Sequence, residues 1–173
     1  MENPEFPSIR MRRNRTHAWL RDMLAETRLN ASDLVWPVFI QEGVNTATPI
    51  SSMPGVFRIT LDILVSLARE AYSLGIPAIA LFPVIDAKFK TPMGDEALSK
   101  NNLVCRAIKE LKNALPELGI ITDVALDPYT SHGQDGILEH GQINNDVTVD
   151  ILCKQAINQA RAGCDIVAPS DMM

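Results

Sequence analysis

The chain has 173 residues, 46% of them hydrophobic and 21% charged, with a net charge of -5. These values describe one soluble globular domain or part of a larger one, and the acidic balance gives no reason to expect nucleic acid or an anionic membrane as partner. Apolar runs are short and broken by Pro, Gly or Asp, so no transmembrane helix is expected; Glu2, Glu5 and two prolines stand where a signal peptide needs an apolar core, which leaves the cytoplasm as the default location.

Residues 1–16 read as an extended arm. Pro4 and Pro7 discourage regular structure, and Arg10, Arg12, Arg13 and Arg15 form a basic cluster. Such an arm is either a solvated tail or a device that brings arginines to carboxylates of a neighbouring subunit. A helix is predicted from Thr16 to Thr27, with Trp19, Leu20, Met23 and Leu24 on one stripe. Arm and helix, residues 1–32, form the first unit.

Apolar strand-like runs then begin at Leu34, Ala78, Ile120 and Ile166. Helical patterns lie between them. Leu61, Leu64, Val65, Ala68, Ala71 and Tyr72 mark the first, between Thr60 as N-cap and Gly75 as stop. Leu103, Val104, Ala107, Ile108 and Leu111 mark the second, which must end before Pro116. Val149, Leu152, Cys153, Ala156 and Ala160 mark the third, started by Asp146 or Thr148 and ended by Gly163. Alternating helices and near-continuously apolar strands predict an α/β fold with a parallel sheet. The helix-to-strand connections are short, whereas those after the strands run over roughly residues 41–59, 86–101 and 127–145, well above the usual length of about 2–6. The surplus chain therefore gathers at the C-terminal ends of the strands, the ligand face of such folds. Gln41-Glu-Gly-Val-Asn45 follows the first strand in place of a Gly-rich phosphate loop, which favours a (β/α) barrel over a dinucleotide fold. A complete barrel needs about 250 residues, so residues 33–173 are expected to be its first half, about four β/α units of a longer chain.

The run 119–136 carries the chemistry. Ile120, Thr122, Val124 and Leu126 fall on one strand face; Ile121, Asp123, Ala125 and Asp127 fall on the other and become small and acidic toward the strand's end. If Asp123, Asp127 and Asp135 converge, they can ligate a hard cation such as Mg²⁺ or hold an amine or imine substrate by charge. The plain alternative is that Asp127-Pro and Asp135-Gly cap turns. His132 has no His or Cys at ligand spacing and reads as structural; His17 and His140 carry no signal. Ser170 and Asp171 end the last strand, where a functional role competes with capping of a following helix. Lys88 and Lys90 would need desolvation to form a Schiff base, yet Asp86, Asp95 and Glu96 nearby mark them as solvated charges. Cys105, Cys153 and Cys164, odd in number and widely spaced, read as reduced and mostly packed thiols.

Several stretches are similar to one family: Arg10-Met-Arg-Arg-Asn-Arg15, Asp33-Leu-Val-Trp-Pro-Val-Phe-Ile-Gln-Glu-Gly43, Ser52-Met-Pro-Gly-Val56, Leu81-Phe-Pro83, the run Asp123–Gly136, and Ala162-Gly-Cys-Asp-Ile-Val-Ala-Pro-Ser-Asp-Met-Met173. Collinear over nearly the whole chain, they make it resemble the N-terminal half of the porphobilinogen synthase family, also called 5-aminolevulinate dehydratase. The resemblance implies a TIM (β/α)8 barrel and an N-terminal arm that wraps a neighbour in a homo-octamer. It implies a lyase that condenses two 5-aminolevulinate molecules to porphobilinogen, with loss of water, in haem biosynthesis. Its two Schiff-base lysines, its lid and its substrate-carboxylate ligands belong to the later half of the barrel, so these 173 residues alone are expected to be inactive. Zinc-dependent members carry a cysteine triad at the positions of Ala125, Asp127 and Asp135; with no cysteine on any of them, no catalytic zinc is expected, and the aspartate version implies an allosteric Mg²⁺ that acts mainly at the subunit interface. Carried over by position, Asp123, Ser170 and Asp171 line the active site, while Asp127 and Asp135 bind substrate or, alternatively, metal. Two rival readings remain: a Mg²⁺-dependent aldolase-type barrel lyase, and a truncated non-catalytic assembly subunit.

Overall fold

The computed structural model describes residues 5–9 and 11–171, so Pro4, Arg10 and the terminal Met172 and Met173 lie outside the described residues. The chain divides into two compact units, Met1–Asn30 and Ala31–Met173.

In the first unit a single 3-10 turn, Arg13–Arg15, precedes α1, Ala18–Met23. Arg12, Arg13 and Arg15 are exposed. The helix is half the length predicted from Thr16 to Thr27. His17 offers no side-chain cap, and six residues form few of the hydrogen bonds that repay nucleation. Beyond it, the Arg28 guanidinium donates to Asp22 O at 2.9 Å and turns the chain back. Trp19, Met23 and Leu24 of the predicted apolar stripe are exposed.

The second unit is a six-stranded sheet with helices on one face. The strands are β1 (Val35–Gln41), β2 (Ala47–Pro49), β3 (Phe57–Ile59), β4 (Ala78–Val84), β5 (Gly119–Asp123) and β8 (Ile166–Ala168). Their spatial order is β2-β3-β1-β4-β5-β8, parallel throughout except for the β2–β3 pair. A short β6–β7 hairpin, Leu138–Glu139 with Gln142–Ile143, stands apart. Helices α2 (Leu61–Ser73), α3 (Leu103–Ala114) and α4 (Asn145–Ala162) return the chain between the four sequential parallel strands. This is the α/β architecture expected from the alternating pattern: four barrel strands with three covering helices among the described residues. The β2–β3 pair and the β6–β7 hairpin fall within spans predicted as loop, because strands of two or three mostly exposed residues leave no hydrophobic period to read.

The core lies between sheet and helices. Val38, Ile40, Ile79, Leu81, Ile120, Val124 and Leu126 meet Leu64, Ala68, Leu103, Ala107, Ile108 and Leu111, all buried; each large aliphatic side chain so buried contributes about 1.5–3 kcal/mol. On the opposite sheet face Phe39 and Phe82 pack with centroids 5.8 Å apart, and Ile121 and Asp123 remain half-buried.

Helix α4 departs from its predicted stripe. Its buried residues are Thr148, Ile151, Leu152, Gln155 and Gln159, whereas Val149, Cys153 and Ala160 are exposed. Two glutamines occupy positions that the apolar pattern assigned elsewhere, so the inward face is rotated from the one predicted. The N-cap is Asn144, which accepts from Val147 N at 3.2 Å, rather than Asp146 or Thr148. Thr148 sits inside the helix, donates to Asn144 O at 2.6 Å and accepts from Ile137 N at 3.0 Å. Of the cysteines, Cys105 is buried, Cys164 half-buried and Cys153 exposed, so the last is not a packed thiol.

Candidate functional site

Alternation along β5 decides what points where. Ile120, Thr122, Val124 and Leu126 are fully buried beneath the helices, which turns Asp123 and Asp127 toward the other face at the strand's C-terminal end. Past Asp123 the backbone closes a tight turn, in which Tyr129 N and Thr130 N both donate to Leu126 O at 2.9 Å. The buried ring of Tyr129 pins this turn to the core. A second loop clamps it: Thr91 N donates to Tyr129 O at 3.2 Å and Ser131 N to Thr91 O at 3.0 Å. His132 ties the loop to its surroundings. Its Nδ1 accepts from Gln134 N at 3.2 Å, which leaves Nε2 protonated to donate to Pro92 O at 3.3 Å. Gly136 is required by space, because a Cβ there would stand 2.7 Å from Ile143 Cγ2 and 2.8 Å from Thr148 Oγ1.

These turns bring Asp127, Asp135 and Asp171 together, with one carboxylate oxygen of each within 4.8 Å of the others. The sequence reading gathered Asp123 with Asp127 and Asp135. In the structure Asp123 instead accepts a hydrogen bond from the Ser170 hydroxyl, and Asp171 takes its place in the group of three. Ser170 and Asp171 therefore reach the cluster by different routes, one through Asp123 and the other directly. Asp171 is fixed from below by Leu126 N, which donates to Oδ2 at 3.2 Å.

Crowded carboxylates resist ionisation together. Asp171 is pushed up to about 6: burial is the largest cause, the Leu126 N–H opposes it, and the charges of Asp135, Asp127 and Asp123 add to it. Asp127 is also raised, by lost hydration first and then by Asp135 and Asp123, with Lys90 pulling the other way. Its carboxylate retains solvent access. A carboxyl poised near neutrality beside two others can hold a cationic amine, take up a proton from it, or bind a hard cation.

Asp123 and Asp127 line a cleft of about 270 Å³ together with Phe39, Phe82, Met53 and Arg58. Sequence reading did not single out Arg58. It stands on β3, a strand hidden in a predicted loop, and is in register with Phe39 of β1. A larger groove of about 480 Å³ along Trp36, Phe57, Ile63 and Leu67 has no ionisable residue in its walls and belongs to the apolar sheet edge. Lys88 pairs with Asp86 at 3.3 Å with both side chains more than half exposed; it lacks the desolvation that imine chemistry needs. Lys90 is half-buried and acts on Asp127 through charge. Gln155 and Gln159, which the apolar stripe of α4 concealed, are the other residues missed. Their buried amides bond the backbone at Ala125 and Asp123.

Comparison with known proteins gives this geometry a family. Residues 8–173 match the family model for delta-aminolevulinic acid dehydratase. The chain is 51% identical over 166 residues to the delta-aminolevulinic acid dehydratase of Bradyrhizobium diazoefficiens, covering 96% of this chain and 47% of that one. It is 46% identical over 166 residues to the Chlamydia pneumoniae enzyme of that name, covering 96% and 50%. The Toxoplasma gondii delta-aminolevulinic acid dehydratase (porphobilinogen synthase), solved in complex with the reaction product porphobilinogen, superposes with a TM-score of 0.90 at 45% identity, over 95% of this chain and 47% of that one. The chain thus spans about half the length of the relatives it matches, and its four parallel strands are those of a TIM barrel. On this agreement of sequence, topology and strand-end geometry, the chain belongs to the delta-aminolevulinic acid dehydratase family.

Proposed function

We propose that these residues supply the arm and first four barrel strands of an enzyme that condenses two 5-aminolevulinate molecules to porphobilinogen with loss of water. The observation that carries the reading is the carboxylate cluster at the end of β5, in a chain 45% identical to a structure holding porphobilinogen. Asp127 and Asp135 attract the substrate ammonium group, and Asp171, pushed up to about 6, exchanges a proton with it near neutral pH. Asp123, held by Ser170, lines the same cleft as Asp127 and faces the developing cation. The family resemblance assigns the two imine-forming lysines to the barrel's later half, beyond these 173 residues.

The cluster also suits the alternative reading in which Asp127 and Asp135 hold a metal such as Mg²⁺. Asp127, Asp135 and Asp171 offer only hard oxygen donors; burial first and then mutual repulsion raise Asp127 and Asp171, and a divalent cation would relieve the repulsion. Bound there, the ion would supply charge neutralisation and order the loop. We also assign a homo-oligomer, an octamer by resemblance, assembled through the arm. No helix among the described residues is long and apolar enough to cross a membrane; we place the enzyme in the cytoplasm, with a plastid as the alternative suggested by relatives such as the chloroplastic soybean protein.

The test is turnover by the full-length protein. It is expected to form porphobilinogen from 5-aminolevulinate and to be trapped by borohydride on a lysine outside residues 1–173, while the 173 residues alone form none. Porphobilinogen production by the isolated segment, or no modified lysine beyond it, would overturn the assignment. Residual turnover is expected in chelator; complete loss would favour the Mg²⁺-dependent aldolase-type lyase instead.

A further inference from the structure

Gln155 and Gln159 lie one turn apart on α4 and are each only 1% exposed. Both aim an amide at the same short piece of backbone. Gln159 Nε2 donates to Asp123 O at 2.8 Å, and Gln155 Nε2 donates to Ala125 O at 3.1 Å. The other ends of these two peptide units are held as well. Val124 N donates to Ala168 O at 3.0 Å, and Leu126 N donates to Asp171 Oδ2 at 3.2 Å. A trans peptide is planar, with C=O and N–H pointing in opposite directions. Gripping both ends therefore stops the unit from rotating and fixes the side chains on either side of it.

The sheet supplies only one of these holds, from Val124 N to Ala168 O of β8, because β5 ends at Asp123 and its pairing with β4 ends one residue earlier, at Thr122. Gln159 is locked in turn, since its Oε1 accepts from the buried Thr122 hydroxyl at 3.0 Å. Gln155 lies against the buried hydroxyl of Tyr129, and neither that hydroxyl nor Gln155 Oε1 has a partner of ordinary hydrogen-bond geometry. Burying an amide with one end unmatched is a costly way to fill a core position that an aliphatic residue fills better. Its benefit lies in where it holds the backbone.

We propose that Gln155 and Gln159 are positioning residues for the carboxylates at the end of β5, acting through the peptide units 125–126 and 123–124. Gln159 sets Asp123, and Gln155 sets Asp127 and the anchor of Asp171. The inference deepens the proposed function and rests on it for its catalytic consequence.

The experiment uses the full-length protein with Gln155→Met, Gln159→Met and the milder Gln155→Asn, whose shorter side chain falls short of Ala125 O. Asn158→Leu is the control: Asn158 sits on the same helix and donates to Leu98 O at 2.8 Å, away from the carboxylates. Steady-state turnover of 5-aminolevulinate is measured alongside hydrogen exchange of the Val124 and Leu126 amides. The three glutamine variants are expected to lower kcat on the order of tenfold to a hundredfold, with KM changed far less, and to speed exchange at those amides. Asn158→Leu is expected to change neither. Unchanged kcat and exchange in the glutamine variants, or an equal loss of kcat in Asn158→Leu, would overturn the proposal. Should the unsubstituted protein form no porphobilinogen, the functional reading fails by itself; exchange then decides, with faster Val124 and Leu126 amides in the glutamine variants alone supporting the positioning role and uniform exchange refuting it.

Discussion

The two ends of β5 treat an aspartate in opposite ways. At the N-terminal end Asp165 has partners of complementary charge: Lys112 Nζ stands 2.7 Å from Oδ2, and Ile120 N donates to the same oxygen at 2.7 Å. Burial works to raise this carboxyl, yet lysine and amide outweigh it and hold it below its ordinary value. At the C-terminal end Asp127, Asp135 and Asp171 have mainly one another, and two of them are raised. One end spends its charge on holding the strand; the other keeps carboxyls that burial and one another raise, with Lys90 and the Leu126 N–H offsetting only part of it. In barrels of this kind the bottom of the strands serves stability and the top serves chemistry.

The sharpest way to break the comparison is to cut the core equally at both ends. Leu118 and Leu126 are both fully buried, one just before β5 and the other just after it. Each replaced by Ala should lose about 2–5 kcal/mol in chemical denaturation of the full-length protein. Only Leu126→Ala should also lower kcat in the protein that remains folded, since its peptide N–H anchors Asp171. Equal kinetic losses from both would erase the distinction. Next in size is Gly136→Ala, where the added methyl meets Ile143 and Thr148. Overpacking there should cost about 1–3 kcal/mol, together with weaker divalent-cation or substrate binding through Asp135, read by calorimetry.

A smaller effect follows from Asp171. Its folded value, about 6, lies above the ordinary 3.8, so the native state binds its proton more tightly than the unfolded chain does. Stability should therefore fall as pH rises between about 4 and 6, and stay lower above that window. Asp171→Asn keeps an oxygen for Leu126 N–H and removes the charge. It should be more stable than the parent above pH 6 by about 1–2 kcal/mol, discounted for partial solvation, and equal to it below pH 4. Denaturation curves across pH measure this; a variant less stable at pH 7.5 would show that burial and the neighbouring charges do not penalise ionised Asp171.

Much of this arrangement was legible from residue pattern alone, and the contrast between α3 and α4 shows the limit. The buried face of α3 is wholly apolar, Leu103, Val104, Cys105, Ala107, Ile108 and Leu111, so its period predicted the helix and its inward side together. The α4 face mixes Ile151 and Leu152 with Thr148, Gln155 and Gln159; a rule that seeks apolar residues slides to the wrong side when polar ones are buried to hold backbone. The aspartate loop was visible because Pro128 and the glycines break the strand where carboxylates gather. Asp171's place in the cluster was not visible, because it depends on the β5–β8 register, Asp123 beside Ala168, across 45 residues of chain. Arg58 escaped for a similar reason, since a three-residue edge strand carries no period.

The smallest predicted effect lies at the quiet end of β5. Lys112 reaches past Asp165 to donate to Leu118 O at 2.9 Å and Pro116 O at 3.3 Å, fastening the end of α3 to the turn that starts the strand. Both charges keep partial solvent contact, which limits the pair to about 1 kcal/mol or less. Because the folded value of Asp165 is depressed, its contribution is present above the ordinary carboxylate range and disappears as pH falls through the folded value. Lys112→Met should therefore cost stability at pH 7, with the difference from the parent shrinking progressively in acid, and should leave kcat unchanged because no carboxylate of the cluster is touched. A kinetic defect in Lys112→Met would mean that the two ends of the strand are mechanically coupled, and that the division between holding and chemistry runs along β5 rather than across it.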